Sequence, residues 1–244
     1  MPASTYAERI ARRSSVVTIA ALLLMTLLAW AYLLSGAGMK PMPAMHGAGL
    51  KWTVAAAMWA AMMVAMMLPS AAPAILLYAR VHRHSVGGDL PLLTAAFLAG
   101  YLACWIGFAL LAATVQLLIP LPMSMALASR TASGGLLIAA GLYQLSPIKD
   151  ACLSRCRSPA EFISRHYRAG IGGAARLGLL HGAFCVGCCW LLMALLFVGG
   201  VMNLLWVAGL TLLVAVEKLL PGGKWIARIA GLAMIGWGVA LLLG

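Results

Sequence analysis

Charge is scarce in this chain. Only 9% of its 244 residues are charged, and five acids stand against seventeen lysines and arginines. A soluble domain carries roughly a quarter charged residues, so there is too little polar side chain here to coat a water-soluble globule. The same scarcity excludes a disordered chain or a large extramembrane domain. No Walker motif, no catalytic aspartate motif of a pump and no serine or acid–base constellation is present, so nothing in the chain points to an enzyme. Nor does an acid fall in the middle of an apolar run, since Glu217 lies at the end of one beside Lys218. Proton-coupled carriers need intramembrane carboxylates, and that class is disfavoured. An alternating β-barrel pattern is also missing, which leaves helices as the spanning structure.

What remains is apolar: 64% of the residues, with a mean hydropathy of +1.01. At about 20 residues per bilayer crossing, the runs predict an all-α, polytopic membrane helix bundle of seven spans. They cover Val16–Leu34, Trp52–Tyr78, Leu90–Leu118, Ala132–Leu145, Ala174–Val198, Val201–Val216 and Trp225–Leu243. The first reads as a signal anchor, because its apolar core is longer than a secretory h-region and further spans follow. Residues 1–51 are therefore expected to form an anchor helix and an external loop, and residues 52–244 a six-helix metal-binding membrane domain. The longest connection, residues 146–173, contains a segment from Pro159 to Arg168 that predicts a short interfacial helix.

A net charge of +12 would ordinarily suggest nucleic acid, but the bases sort by loop. With the N-terminus in the cytoplasm, the inner side receives Arg9, Arg12, Arg13, Arg80, Arg83, Lys149, Arg155, Arg157, Arg165, Arg168, Arg176, Lys218, Lys224 and Arg228. Lys40, Lys51 and Arg130 stay outside. This is the positive-inside pattern of a multi-pass inner-membrane protein. It makes the lipid bilayer the partner of the charge and excludes nucleic acid.

Six cysteines, five histidines and fifteen methionines are the unusual part of the inventory. None of the cysteines falls in an expected external loop, so structural disulfides are not expected. In the fifth span, His181, Cys185, Cys188 and Cys189 fit within an arc of about 100° at the helical period, with Cys185 near the bilayer midplane. Gly178-x-x-x-Gly182 permits close helix approach beside them. Thiols and an imidazole are soft donors suited to Cu(I), with zinc the weaker alternative, although cysteines also pack well as small hydrophobes. Met39, Met42, Met45 and His46 form an external, proline-punctuated set with the spacing of a Cu(I) capture loop. Met58, Met62 and Met66 make a stripe on the second span, widened by Met63 and Met67; methionine is also a common gap-filler. Pro69 and Pro73 break its inner end. Cys152 and Cys156 lie in the inner connection among Lys149, Arg155 and Arg157, a setting expected to favour thiolate. Cys104 reads as packing.

Several stretches resemble a known family. They are Met58-Trp-Ala-Ala-Met-Met-Val-Ala-Met-Met-Leu-Pro69, Tyr143-Gln-Leu-Ser-Pro147 continuing to Cys152-x-x-x-Cys156, Cys185-Val-Gly-Cys-Cys-Trp190, Gly200-Val-Met-Asn-Leu-x-Trp206 and Glu217-Lys218-x-x-Pro221. Over Trp52 to Leu243 the chain is similar to a bacterial family described as uncharacterised, predicted metal-binding integral membrane proteins. The resemblance implies a multi-spanning inner-membrane protein that binds metal and implies no reaction. The Met39–His46 loop is not part of it.

Taken together, the residues predict an inner-membrane copper-handling protein binding Cu(I) through Met, Cys and His. A descending series would capture at Met39, Met42, Met45 and His46, relay along the Met58–Met67 stripe, bind at His181, Cys185, Cys188 and Cys189, and receive at Cys152 and Cys156. The alternatives are a subunit or assembly factor of a membrane copper enzyme, and a thiol redox protein using Cys185, Cys188 and Cys189. The implied protein partner is a copper enzyme or copper chaperone, and both homo- and hetero-oligomers stay open.

Overall fold

The computed structural model describes residues 3–36, 48–85, 90–119, 127 and 129–244, and among these the regular structure is entirely helical. The helices are α1 (Ala3–Leu34), α2 (Ala48–Ser85), α3 (Leu90–Leu118), α4 (Arg130–Gln144), α5 (Pro147–Arg157), α6 (Pro159–His166), α7 (Gly170–Ala194), α8 (Leu196–Gly199), α9 (Leu204–Leu219) and α10 (Gly223–Leu243). Five stretches are long and apolar enough to cross a bilayer: Val16–Leu34, Lys51–Val81, Pro91–Leu118, Gly170–Gly199 and Gly223–Leu243. The stretches expected as the other two spans fold as α4 and α9, of 15 and 16 residues, shorter than a crossing of about 20 residues. An apolar environment leaves backbone groups no water to bond, and helices satisfy them internally.

Small residues set the closest approaches. Gly178 of α7 lies against α3 so tightly that an added Cβ would stand 1.9 Å from the Phe97 carbonyl oxygen. The Gly178/Gly182 spacing thus does what it predicts, and α3 and α7 form one seam. Cys104 packs into that seam, its thiol donating to the Leu179 carbonyl at 3.2 Å and its Cβ beside Gly182. Helices α4 and α10 meet at a second glycine contact, Gly141 on Gly231. Helix α2 packs on α1 and α3, and its central residues from Met58 to Met67 belong to the core.

The inner connection is more ordered than a loop. The expected short helix appears as α6, and an additional helix, α5, precedes it. Ser146 caps α5 by accepting from the Lys149 backbone N–H, Pro147 fills the first turn, Asp150 lies in that turn and Arg155 and Arg157 in the last. These are standard helix start and stop signals. Helix α5 folds back along α7 instead of trailing away from it. Two bases counted with the inner-side charges are consequently inside the protein: Lys149 and Lys218 are buried.

Candidate metal centre

Helix α7 buries the face that carries His181, Cys185, Cys188 and Cys189. The Cys185 sulfur is the hub. It receives a hydrogen bond from Lys218 Nζ of α9 at 2.9 Å and lies 3.2 Å from the Tyr101 hydroxyl of α3. Tyr101 in turn donates to the Met67 carbonyl of α2 at 3.0 Å. That carbonyl sits just before Pro69 and Pro73, in the stretch of α2 where missing N–H donors loosen the helical ladder. The thiols of Cys188 and Cys189 take a different direction. Both donate to the Cys185 carbonyl, at 3.1 and 2.9 Å, and Cys189 also lies 3.8 Å from the Met67 thioether.

Helix α5 brings the second pair of cysteines to the same place. Cys156, half-buried on α5, comes close enough to the thiols of Cys185 and Cys188 for the three to perturb one another. Cys152, one turn earlier, stands over Gly187, where an added Cβ would come within 3.0 Å of its sulfur. The pair therefore lies against the α7 cluster and not apart from it. Polar anchors from α5 and from the preceding end of α4 hold this junction together. Lys149 Nζ donates to Glu217 Oε2 at 2.6 Å, and Gln144 Nε2 donates to the other carboxylate oxygen at 2.6 Å. Arg157 donates to the Glu217, Leu220 and Pro221 carbonyls at the C-terminal end of α9, satisfying groups that a helix end leaves open. The Tyr143 hydroxyl donates to the Gly187 carbonyl.

These anchors also overturn the expected thiolate character of Cys152 and Cys156. The flanking bases face elsewhere: Lys149 to Glu217, Arg157 to carbonyls, and Arg155 over the Phe184 ring at 5.8 Å. Hydrogen bonding to Cys185 and Cys188, then burial, holds the Cys156 thiol well above the ordinary range. Burial, followed by the nearby Cys188, pushes Cys152 up as well.

The remaining expected ligands make other contacts. His181 is buried on the same side of α7, but its ring lies among Phe97, Tyr101 and Phe162 at 6.1, 5.8 and 5.4 Å between centroids, and Nδ1 has no hydrogen-bond partner. A long helical side chain leans over the preceding turn, which carries the imidazole towards those rings. Met58, Met62 and Met66 are buried in the core, near Trp59, whose indole donates to Gln116 at 2.6 Å and packs on Phe197. Met39, Met42, Met45 and His46 lie outside the described residues.

Among the described residues, no three His, Cys, Asp or Glu side chains form a ready-made metal site. The orientations bear on this, because Cys188 and Cys189 both point their thiols at the Cys185 carbonyl. Two thiols with a thioether nearby fit a low-coordinate soft ion better than a tetrahedral zinc site. Two residues of the centre escape a reading by ligand type, Lys218 and Tyr101, while Met67 is read there only as widening the methionine stripe. The signal for Lys218 was the adjacent Glu217-Lys218 pair closing an apolar run.

Fold and site together define an all-α protein with bilayer-length helices and a buried, sulfur-rich centre. The profile of the family PpoB2, copper chaperone, matches residues 56–241, and the chain belongs to that family. The metal implied by the earlier resemblance is thereby narrowed to copper. Neither the curated proteins nor the solved structures give a match.

Proposed function

We propose that this chain holds Cu(I) as cargo between Cys156 and Cys185, with Met67 beside them, and hands it to a copper enzyme or a second copper-binding protein. The bundle crosses a bacterial inner membrane seven times with its N-terminus in the cytoplasm, α4 and α9 serving as the two short spans. Residues 1–51 supply the anchor and the external methionine loop, and the rest supplies the metal-binding domain. The observation that carries this reading is the packing of α5 along α7, which brings the half-buried Cys152 and Cys156 against the buried thiols of α7. Soft thiolate donors retain Cu(I), and a two-thiolate set lets it leave by stepwise exchange with an incoming thiolate.

The test is metal content after purification in Cu(I) under reducing conditions. Wild type is expected to keep about one ion per chain, and Cys185→Ser and Cys156→Ser to keep almost none. Equal occupancy in wild type and both variants overturns the proposal. One contact favours transport as a second function: Cys189 and Met67 join the methionine-rich helix to the thiols. Copper-loaded proteoliposomes separate the two, since transport requires flux that Cys185→Ser abolishes.

A further inference from the structure

Glu217 and Lys218 are neighbours on α9 and both buried, yet their charges are matched differently. The Glu217 carboxylate is paired with Lys149 at 2.6 Å. Lys218 Nζ meets the Cys185 sulfur at 2.9 Å and the neutral Ser70 hydroxyl at 3.3 Å. The other acids with described side chains, Asp150 and Glu161, pair with Arg228 and Arg165 at the surface. The Lys218 ammonium therefore has no carboxylate partner among the described residues. A buried charge without a counter-charge is strongly unfavourable, so the balancing charge has to come from sulfur.

That condition constrains the ion. Metal binding replaces thiol protons, which leave to solvent. Two thiolates, one ammonium and a monovalent cation sum to zero, whereas a divalent cation leaves one uncompensated positive charge in a low-dielectric site. The thiols of Cys188 and Cys189 are directed at the Cys185 carbonyl and not at Lys218. A coordinated thiolate keeps lone pairs, so the Lys218 hydrogen bond to Cys185 survives binding.

We propose that Lys218 is the residue that restricts this centre to a monovalent ion, by supplying the fixed positive charge that a two-thiolate site needs to be neutral. Lys218 acts through Cys185 and does not touch the ion, so it is a positioning residue. The inference rests on the Cu(I) reading above.

The experiment titrates detergent-solubilised full chain with silver(I) as the monovalent probe and cadmium(II) as the divalent one. It compares wild type with Lys218→Met, Lys218→Gln and Lys218→Arg, each checked for helical content and a single elution peak. Removing the charge should weaken silver(I) by about tenfold and tighten cadmium(II), so the preference between them shifts by more than tenfold. Lys218→Gln keeps an N–H donor towards Cys185 and Ser70, and it should behave like Lys218→Met if charge is the cause. Lys218→Arg should restore the wild-type preference. Loss of both ions in equal measure from the uncharged variants, or no change in preference, overturns the inference. A wild type that binds neither ion overturns the Cu(I) reading beneath it.

Discussion

Two parts of the molecule are rich in buried sulfur, and they differ in what else they bury. The middle of α2 packs Met58, Met62, Met63 and Met66 among Trp59, Phe197 and aliphatic neighbours. The junction of α5, α7 and α9 packs thiols together with Lys149, Glu217, Gln144 and Lys218. A thioether is nearly as easy to bury as a hydrocarbon, so methionine in a core carries little functional information. A lysine or glutamate in an apolar bundle is retained against a penalty of several kcal/mol per ion unless fully partnered. Sulfur marks a candidate ligand, and the charges beside it distinguish a site from a core.

The contrast is most easily broken at Glu217. Glu217→Gln leaves the Lys149 ammonium buried with no carboxylate, and removing one partner of a buried pair costs about 3–5 kcal/mol. Thermal unfolding in detergent should show a large fall in Tm, and Lys149→Met added to Glu217→Gln should recover much of it. A single variant that melts with the wild type would mean that this charged junction is no more demanding than the methionine core. A smaller effect is expected at the α3–α7 seam, which sets Tyr101 against Cys185. Gly178→Ala places a methyl group 1.9 Å from the Phe97 carbonyl oxygen and should cost about 1–3 kcal/mol. The backbones must part, so Cu(I) retention should fall with Tm. Unchanged retention would detach the thiol geometry from that seam.

How much of this was legible depends on which contacts are local. The helices follow from apolar runs, because lipid allows no other economy of backbone hydrogen bonds, and the α7 arc of His181, Cys185, Cys188 and Cys189 follows from the helical period alone. Helix α5 was hidden by its own composition. Lys149, Asp150, Arg155 and Arg157 look like a solvated loop until Glu217 and the α9 carbonyls, more than sixty residues away, take up Lys149 and Arg157. Lys218 was hidden in the same way, since a base at the end of an apolar run looks like a topological marker. No periodicity reports that it turns inward to Cys185. The imidazole of His181 lies on that arc but packs among the rings of Phe97, Tyr101 and Phe162, contacts that the helical period does not report.

The methionine stripe is where the comparison can be sharpened with the smallest effects. If Met58, Met62 and Met66 only fill space, Met62→Leu conserves volume and should cost under about 1.5 kcal/mol, with Cu(I) retention within about twofold of wild type. Met67 belongs to the same helix, but its sulfur is 3.8 Å from Cys189. Met67→Leu should leave Tm equally little changed while weakening Cu(I) retention by about three- to fivefold, the value of one weak soft donor. Competition against a chromophoric Cu(I) chelator reads both variants on one scale. Parallel losses would make the stripe part of the copper path and erase the distinction between the two regions. A loss confined to Met67 would locate the boundary between core and site within two turns of α2.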